Sequence, residues 1–358
     1  MKYLCPEIEK LVSNLEKKED VFLLDKPENY EIYDLMWGGE IQEEIDTSKW
    51  GKNRIFLLSL LSMQESIDFD DQAVVLDVCS GKGRFSVAAL ELRAKMVVSY
   101  DASFNGLQHT ADLIKSKNIP ENYDEVGFDG FGTTPSYLIH CIRSNVPNPT
   151  GLLSKNMAND RFYEPLIKVS DIKDIEKRHV SIQGDIKNIT GLFDKPIFDV
   201  IIHYMALHHT ADYKKTLSDL ISLLNPGGHI MFNFFNKGAT PKIVYDLREV
   251  FLKLSPQLVY NFVKRFNKLE HRNLDSVQQI LKEVGAPSLT LQKFSSLIEK
   301  HSFEEVIKNL HDFEDLQTPY LHNLNPEEVI NFMKNDMDMD VPLRALRLGD
   351  VNILARKK

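Results

Sequence analysis

The sequence predicts an α/β fold, a seven-stranded mixed sheet with helices on both faces. Three observations predict it. Ala73–Val78 and Met96–Asp101 are short, continuously apolar runs suited to strands buried on both sides. Between them a glycine turn, Gly81-Lys82-Gly83, leads into RFSVAALEL, which has helical periodicity, so the segment reads as a βαβ unit. Further apolar runs alternate with helical patterns downstream.

Residues 1–70 read as a mostly helical cap. Ile8, Leu11, Val12 and Leu15 fall at helical spacing, and a second helix is expected over Lys52–Met63. Between them lie Trp37, Trp50 and the Gly38-Gly39 pair, either as part of a cap packed on the core or as aromatic walls folded over a site. Residues 71–358 form the main domain. A helix at Phe104–Lys117 precedes an insertion at 121–178, rich in Gly, Pro and Asn, with one helix expected near Ser136–Arg143. Its aromatics (Phe128, Phe131, Tyr137, Phe162, Tyr163) either line a pocket or fix the insert to the body, because a connection this long inside a compact domain is usually functional or disordered.

Strands resume at HVSIQGDI and Phe198–Leu207, followed by a helix at Tyr213–Leu224, the turn Asn225-Pro226-Gly227-Gly228 and the strand HIMFNFF. A second insertion, 238–316, is helical and amphipathic and stands where a lid over a substrate is expected. Asn325-Pro326-Glu327-Glu328 opens a last helix, and VPLRALRL and VNILARK supply the final strands.

Composition excludes several classes. The 358 residues carry 43 Lys+Arg against 52 Asp+Glu, a net charge of −9, which argues against a dedicated polyanion binder. Clusters such as Lys264-Arg265 and Arg356-Lys357-Lys358 read as solvated surface. Cys5, Cys79 and Cys141 lie far apart, so neither a disulfide framework nor a cysteine zinc site is expected. The N-terminus does not read as a signal peptide, and no apolar stretch is long enough to cross a bilayer. A cytoplasmic location without membrane insertion follows as the expectation, and a homodimer is left open.

The turn after the first buried strand is the most informative segment. A strand-to-helix turn gathers backbone N–H groups at the carboxyl edge of the sheet, and glycine lets a ligand approach the main chain. Neither GxGxxG nor GxxxxGK[ST] is present. Asp77 near the end of the first strand and Asp101 closing the second remain, the latter placed where a carboxylate can accept from both hydroxyls of a ribose.

At these residues the chain resembles class I S-adenosylmethionine-dependent methyltransferases, which have a Rossmann-like sheet. In style it is similar to the small-molecule branch that includes ubiquinone- and menaquinone-biosynthesis enzymes. VLDVCSGKG is similar to the first motif, departing at Cys79, where glycine or alanine is usual, and at Lys82, where threonine is common. YDAS, Gln183-Gly184-Asp185-Ile186, FDVIIHYMALHH and LNPGGHIMF resemble the following four. The resemblance implies S-adenosylmethionine as cofactor, with S-adenosylhomocysteine as product. It implies that Cys79, Gly81 and Gly83 lie along the methionine moiety with Asp77 near its amino group. Asp101 and Ala102 belong to the ribose motif, Asp185 accepts from the adenine amino group, Ile186 packs beside the ring, and His203 faces cofactor or substrate.

Methyl transfer from a sulfonium needs an aligned nucleophile and a site that excludes water; a base helps where the acceptor is a hydroxyl or an acidic carbon. His208 and His209, directly after the fourth strand, are the catalytic candidates, since imidazole titrates near neutrality. Tyr204, Tyr213, Tyr320 and His322 are candidate substrate contacts. No metal site is expected, because adjacent histidines cannot both be aimed at one ion as an HxxxH pair is. The acceptor is expected to be a small or medium-sized metabolite. The alternatives are an RNA or cap-like acceptor, with nucleic acid disfavoured by charge, and a non-catalytic relative that binds S-adenosylmethionine or a partner.

Overall fold

The computed structural model describes residues 3–38, 72–116, 141–142, 171–310, 312–347 and 350–358. The helix expected at Lys52–Met63, Trp50 and the five aromatics of the first insertion lie outside the described residues.

Among the described residues ten strands form one sheet: β1 (Glu16–Lys18), β2 (Val21–Leu23), β3 (Val74–Val78), β4 (Met96–Asp101), β5 (Cys141–Ile142), β6 (His179–Gln183), β7 (Phe198–His203), β8 (Leu224–Phe235), β9 (Met339–Arg347) and β10 (Asp350–Lys357). Their spatial order is β1-β2-β6-β4-β3-β7-β8-β10-β9-β5. The seven expected strands occupy the consecutive places from β6 to β9, and three additions extend the edges. From β2 to β8 all neighbours are parallel, whereas β10 runs antiparallel between β8 and β9. The chain winds from β3 outward through β4 to β6, then returns to β7 on the other side of β3. The carboxyl ends of β3 and β7 therefore flank a topological switch point, where open α/β sheets bind ligands.

Three local expectations need correction. Residues 1–70 are not helical throughout: after α1 (Pro6–Val12) the chain forms the β1–β2 hairpin, and β2 pairs in parallel with β6. Val21 and Phe22 are buried at that edge, so tertiary pairing sets the conformation of a segment with little pattern of its own. Asn225–Gly228 is a bulge within β8 rather than a simple turn, since the register against β7 shifts between Phe198 and Val200. Asp199 fixes it by accepting from Asn225 Nδ2 (2.9 Å) and the Val74 amide (2.9 Å). Finally, Cys141 and Ile142, expected within a helix, are extended and pair with Ala345 and Arg344 of β9.

Strand alternation sorts the apolar residues onto two faces. Leu76, Val78, Val98, Tyr100, Ile182 and Ile201 face α1, α5 (Tyr213–Ser222) and α12 (Pro326–Asn331). Val75, Val97, Val200 and Ile202 face α3 (Arg84–Glu91) and α4 (Phe104–Ser116). A third core lies within the second insertion, formed by α6 (Lys242–Phe251), α7 (Pro256–Asn267), α8 (Leu274–Glu283), α9 (Ser288–His301), α10 (Phe303–Lys308) and α11 (Phe313–Gln317). Ile32 and Met36 of α2 (Tyr30–Gly38) are buried in this same core. The N-terminal segment is thus divided, with α1 on the sheet and α2 in the helical layer.

Candidate functional site

The glycine turn joins β3 to α3 through three left-handed residues, Cys79 (φ 56°), Gly81 (φ 53°) and Gly83 (φ 72°). The close approaches that require glycine are visible. A Cβ on Gly83 would stand 2.2 Å from Thr110 Cγ2, and one on Gly81 would stand 2.7 Å from the Trp37 ring. Trp37 of α2 therefore lies directly on the turn, which places the N-terminal segment over the site as an aromatic wall. Cys79 adopts the left-handed conformation without glycine's freedom, at a cost of about 1–2 kcal/mol. Its amide offsets part of this by donating to the Tyr100 carbonyl (2.7 Å). Met205, past the end of β7, is also left-handed (φ 58°), and its amide donates to Asn233 Oδ1. The two strands flanking the switch point both end in strained backbone, a pattern associated with functional sites.

Asp101 closes β4 and is 4 % exposed. Its Oδ2 accepts from the Gly81 amide (2.8 Å) and its Oδ1 from the Ser103 amide (2.7 Å). Each oxygen keeps a lone pair. Burial pushes the carboxyl up to about 6, the Ser103 and Gly81 amides pull it down, and Asp34 raises it further. Ser103 caps α4 by accepting from the Gly106 amide (3.0 Å) and donates to Asp34 Oδ1 of α2 (2.8 Å). Ala102, half-buried, accepts from Gln183 Nε2 through its carbonyl (2.8 Å).

Asp185 stands past the end of β6. Its carbonyl accepts from the Tyr100 hydroxyl (2.7 Å), its amide donates to Asp25 (2.9 Å), and its carboxylate accepts from the Lys187 amide (3.0 Å). Ile186 packs half-buried beside it against the main core. Asp77 points beneath the turn instead, 1 % exposed, with the Ser86 hydroxyl donating to it (2.6 Å). Ser86 in turn meets Ser99 (2.6 Å), and Ser99 meets His179 Nε2 (2.8 Å), a buried polar chain across three elements. Burial pushes the Asp77 carboxyl up to about 7 and the His179 imidazole down to about 3.

The opposite side of the switch point holds histidines. His203 ends β7 with no exposed surface, and burial lowers its imidazole to about 4. His208 stacks on Phe235, ring centroids 3.9 Å apart at 22°, and burial holds it well below the usual histidine range. The Val78 carbonyl works against that lowering at His203, whereas the His208 imidazole has no hydrogen-bond partner among the described residues. His209 is the contrary case. Its Nδ1 lies 2.9 Å from the Tyr320 carbonyl and its Nε2 lies 3.2 Å from Glu314 of α11. The His322 amide donates to the His208 carbonyl (2.9 Å), so 318–322 is fastened to this turn at two points. Tyr320 is 38 % exposed at the rim, its ring stacked toward His322.

The candidates therefore fall into two groups, with Asp77, Tyr204 and Tyr213 outside both. Cys79, Gly81, Gly83, Asp101, Ala102, Asp185 and Ile186 gather at the ends of β3, β4 and β6, while His203, His208, His209, Tyr320 and His322 gather at the end of β7. Tyr204 packs on Phe85 of α3 (4.9 Å), and Tyr213 packs on the main core beside Glu328, so these two join neither group. Tyr33 and Glu314 were not among the expected site residues, and Trp37 was expected at a site only in one of two readings, as an aromatic wall. Tyr33 of α2 is half-buried, and desolvation followed by Cys79, Glu314, Asp101 and Asp185 raises its hydroxyl above the usual tyrosine range. Tyr33 and Trp37 are four residues apart on one helix, a spacing that places both on the same face. Glu314 carries no such signal, because its place is set by lid packing. Among the described residues no group of three or more His, Cys, Asp or Glu is arranged to hold a metal ion.

A family model described as a methyltransferase domain matches residues 52–287. No curated protein matches the sequence. Among solved structures the chain is similar to an O-methyltransferase family protein from Burkholderia thailandensis (9 % identity, TM-score 0.38, covering 90 % of this chain and 62 % of that one). It is also similar to the pyocyanin biosynthetic protein PhzM (12 %, TM-score 0.34, 82 % and 52 %). A third is a magnesium protoporphyrin IX methyltransferase from Synechocystis PCC 6803 with bound S-adenosylmethionine (9 %, TM-score 0.41, 93 % of each chain). The chain spans less than two thirds of the first two.

Proposed function

The chain belongs to the methyltransferase-domain family and uses S-adenosylmethionine as cofactor, and on that premise we propose that it methylates a nucleophilic atom of a small or medium-sized metabolite by in-line displacement. One observation carries the reading. Asp101, Asp185 and Glu314 all act electrostatically on both Tyr33 and Cys79 at the switch point, a surround rich in carboxylates. Such a surround suits a cationic sulfonium and ammonium together with ribose hydroxyls, and it repels a polyanionic acceptor.

The cofactor supplies a methyl group activated on a sulfonium sulfur. Asp101 holds the ribose with the lone pairs that Gly81 and Ser103 leave free. Asp185 accepts from the adenine amino group, and Ile186 packs beside the ring. Cys79, Gly81, Gly83 and Ala102 present main chain to the rest of the cofactor, and Asp77 adds negative charge from beneath the turn. Trp37 excludes water from above. On the acceptor side Tyr320 and His322 line the approach, and His203 lies buried at the end of β7. His208 is the base: its imidazole is neutral, unpartnered and fixed by its stack on Phe235, so a ring lone pair is available for an acceptor proton.

Calorimetry with S-adenosylmethionine and S-adenosylhomocysteine tests the cofactor site. Wild type is expected to bind both. Asp101→Ala is expected to weaken binding about 100-fold, which corresponds to about 2.7 kcal/mol, in line with loss of hydrogen bonds to a buried charged group. Folded wild type that binds neither overturns the reading. Binding licenses a screen of acceptors with methyl-labelled cofactor.

A further inference from the structure

The two histidines after β7 are neighbours in sequence and opposites in environment. We propose that His209 is a positioning residue that clasps the lid helix α11 and the 318–322 segment onto the floor of the site, leaving His208 alone to meet the acceptor. The inference rests on the reading of 242–317 as the cover of the acceptor site.

Hydrogen counting carries it. Nδ1 of His209 faces the Tyr320 carbonyl, and Nε2 faces the Glu314 carboxylate. Thr318 Oγ1 is also 3.2 Å from Nδ1, but its own hydrogen goes to the Glu314 carbonyl (2.9 Å), so it too accepts. Two ring nitrogens facing only acceptors need two N–H groups, and only the imidazolium has them. A neutral ring would set a lone pair against one of these oxygens. His209 is 8 % exposed, so the charge is held by its partners and not by water.

The groups facing it agree. Glu314 and Asp315 come from α11, the Tyr320 carbonyl from the following segment, and His208 from its own turn. On the far side Arg248 of α6 donates to the Asp315 carbonyl and to the Thr318 carbonyl (2.6 Å), so α11 is gripped between a cation on the floor and one in the lid. Burial works against the His209 charge, but Glu314, the Tyr320 carbonyl and Asp315 outweigh it and raise the imidazole above its ordinary value. A histidine raised on folding contributes its stabilisation below its unfolded pKa and loses it as pH rises through the folded one. The clasp therefore loosens on the alkaline side.

The test combines histidine titration by NMR with amide hydrogen exchange on the full chain, in wild type, His209→Gln and Glu314→Gln. In wild type His209 is expected to show two N–H signals and to titrate above ordinary histidine, with protection of amides 313–322 falling as pH rises. Glu314→Gln is expected to lower that midpoint by about one unit, and His209→Gln to raise exchange of 313–322 about tenfold while α3 and α4 stay protected. A merely structural contact would not tie lid exchange to the charge of one ring. A His209 that titrates below ordinary histidine, or lid exchange unchanged in both variants, overturns the inference. Cofactor binding on the same samples separates the two readings: binding with unchanged exchange sinks the clasp alone, and the expected exchange response without cofactor binding sinks the methyltransferase reading alone.

Discussion

The two sides of the switch point are built on different terms. On the cofactor side Asp101 accepts two backbone amides and Ser103 both caps α4 and donates to Asp34, while the buried Ser80 hydroxyl of the turn has no partner among the described residues. On the acceptor side His208 is buried with no hydrogen-bond partner among the described residues, and the cover is fastened by contacts between segments 111 residues apart in the chain, such as His209 with Tyr320. The difference teaches that the carboxylate ending β4 is preorganised by backbone amides, while the imidazole of His208 is left for something else to satisfy. Preorganised dipoles act at no reorganisation cost during the chemical step.

Three variations sharpen that contrast, in decreasing order of effect. His208→Phe keeps a ring to stack on Phe235 and removes two unsatisfied nitrogens. Methyl transfer is expected to fall about 10²–10⁴-fold, while stability in urea stays within about 1 kcal/mol of wild type. A large loss of stability would mean that His208 has a structural partner after all. Gly83→Ala strikes the other side, adding left-handed strain to the clash with Thr110, so unfolding free energy is expected to drop by about 2–5 kcal/mol. A nearly neutral result would show that the floor is less rigid than its geometry implies.

The third variation is pH. The ribose role proposed for Asp101 needs the ionised carboxylate, and burial has raised its carboxyl to about 6. Cofactor affinity measured by calorimetry is expected to be level near pH 7 and about tenfold weaker at pH 5, as the carboxylate takes up a proton. The stability contribution has the opposite sign: a carboxyl raised on folding stabilises below its ordinary 3.8 and loses that as pH rises through about 6. Weakened binding at pH 5 thus cannot come from this group unfolding the chain.

The same division governs what was legible in the sequence. The cofactor side is local: β3, the glycine turn and α3 follow one another, and Asp101 and Asp185 each end a strand whose apolar run announces it. Seven strands and the helical character of the second insertion could be read for that reason. The β1–β2 hairpin could not, because only its pairing with β6 makes Val21–Leu23 a strand. Glu314 could not, because its place beside His209 depends on how the helices of the lid pack. Trp37 was visible as a wall candidate, yet its target, the Cα face of Gly81, appears only once α2 is docked.

The buried chain beneath the glycine turn has a consequence in hydrogen arithmetic. Ser86 gives its one hydrogen to Asp77, so in the 2.6 Å contact with Ser99 it can only receive. Ser99 has then spent its own hydrogen, and its contact with His179 must be supplied by Nε2–H. With Asp77 ionised, the tautomer of a histidine on β6 is dictated by a carboxylate on β3, through one hydroxyl on α3 and another on β4. The sheet carries a direction sideways, across its strands, and Nδ1 of His179 is the end of that line.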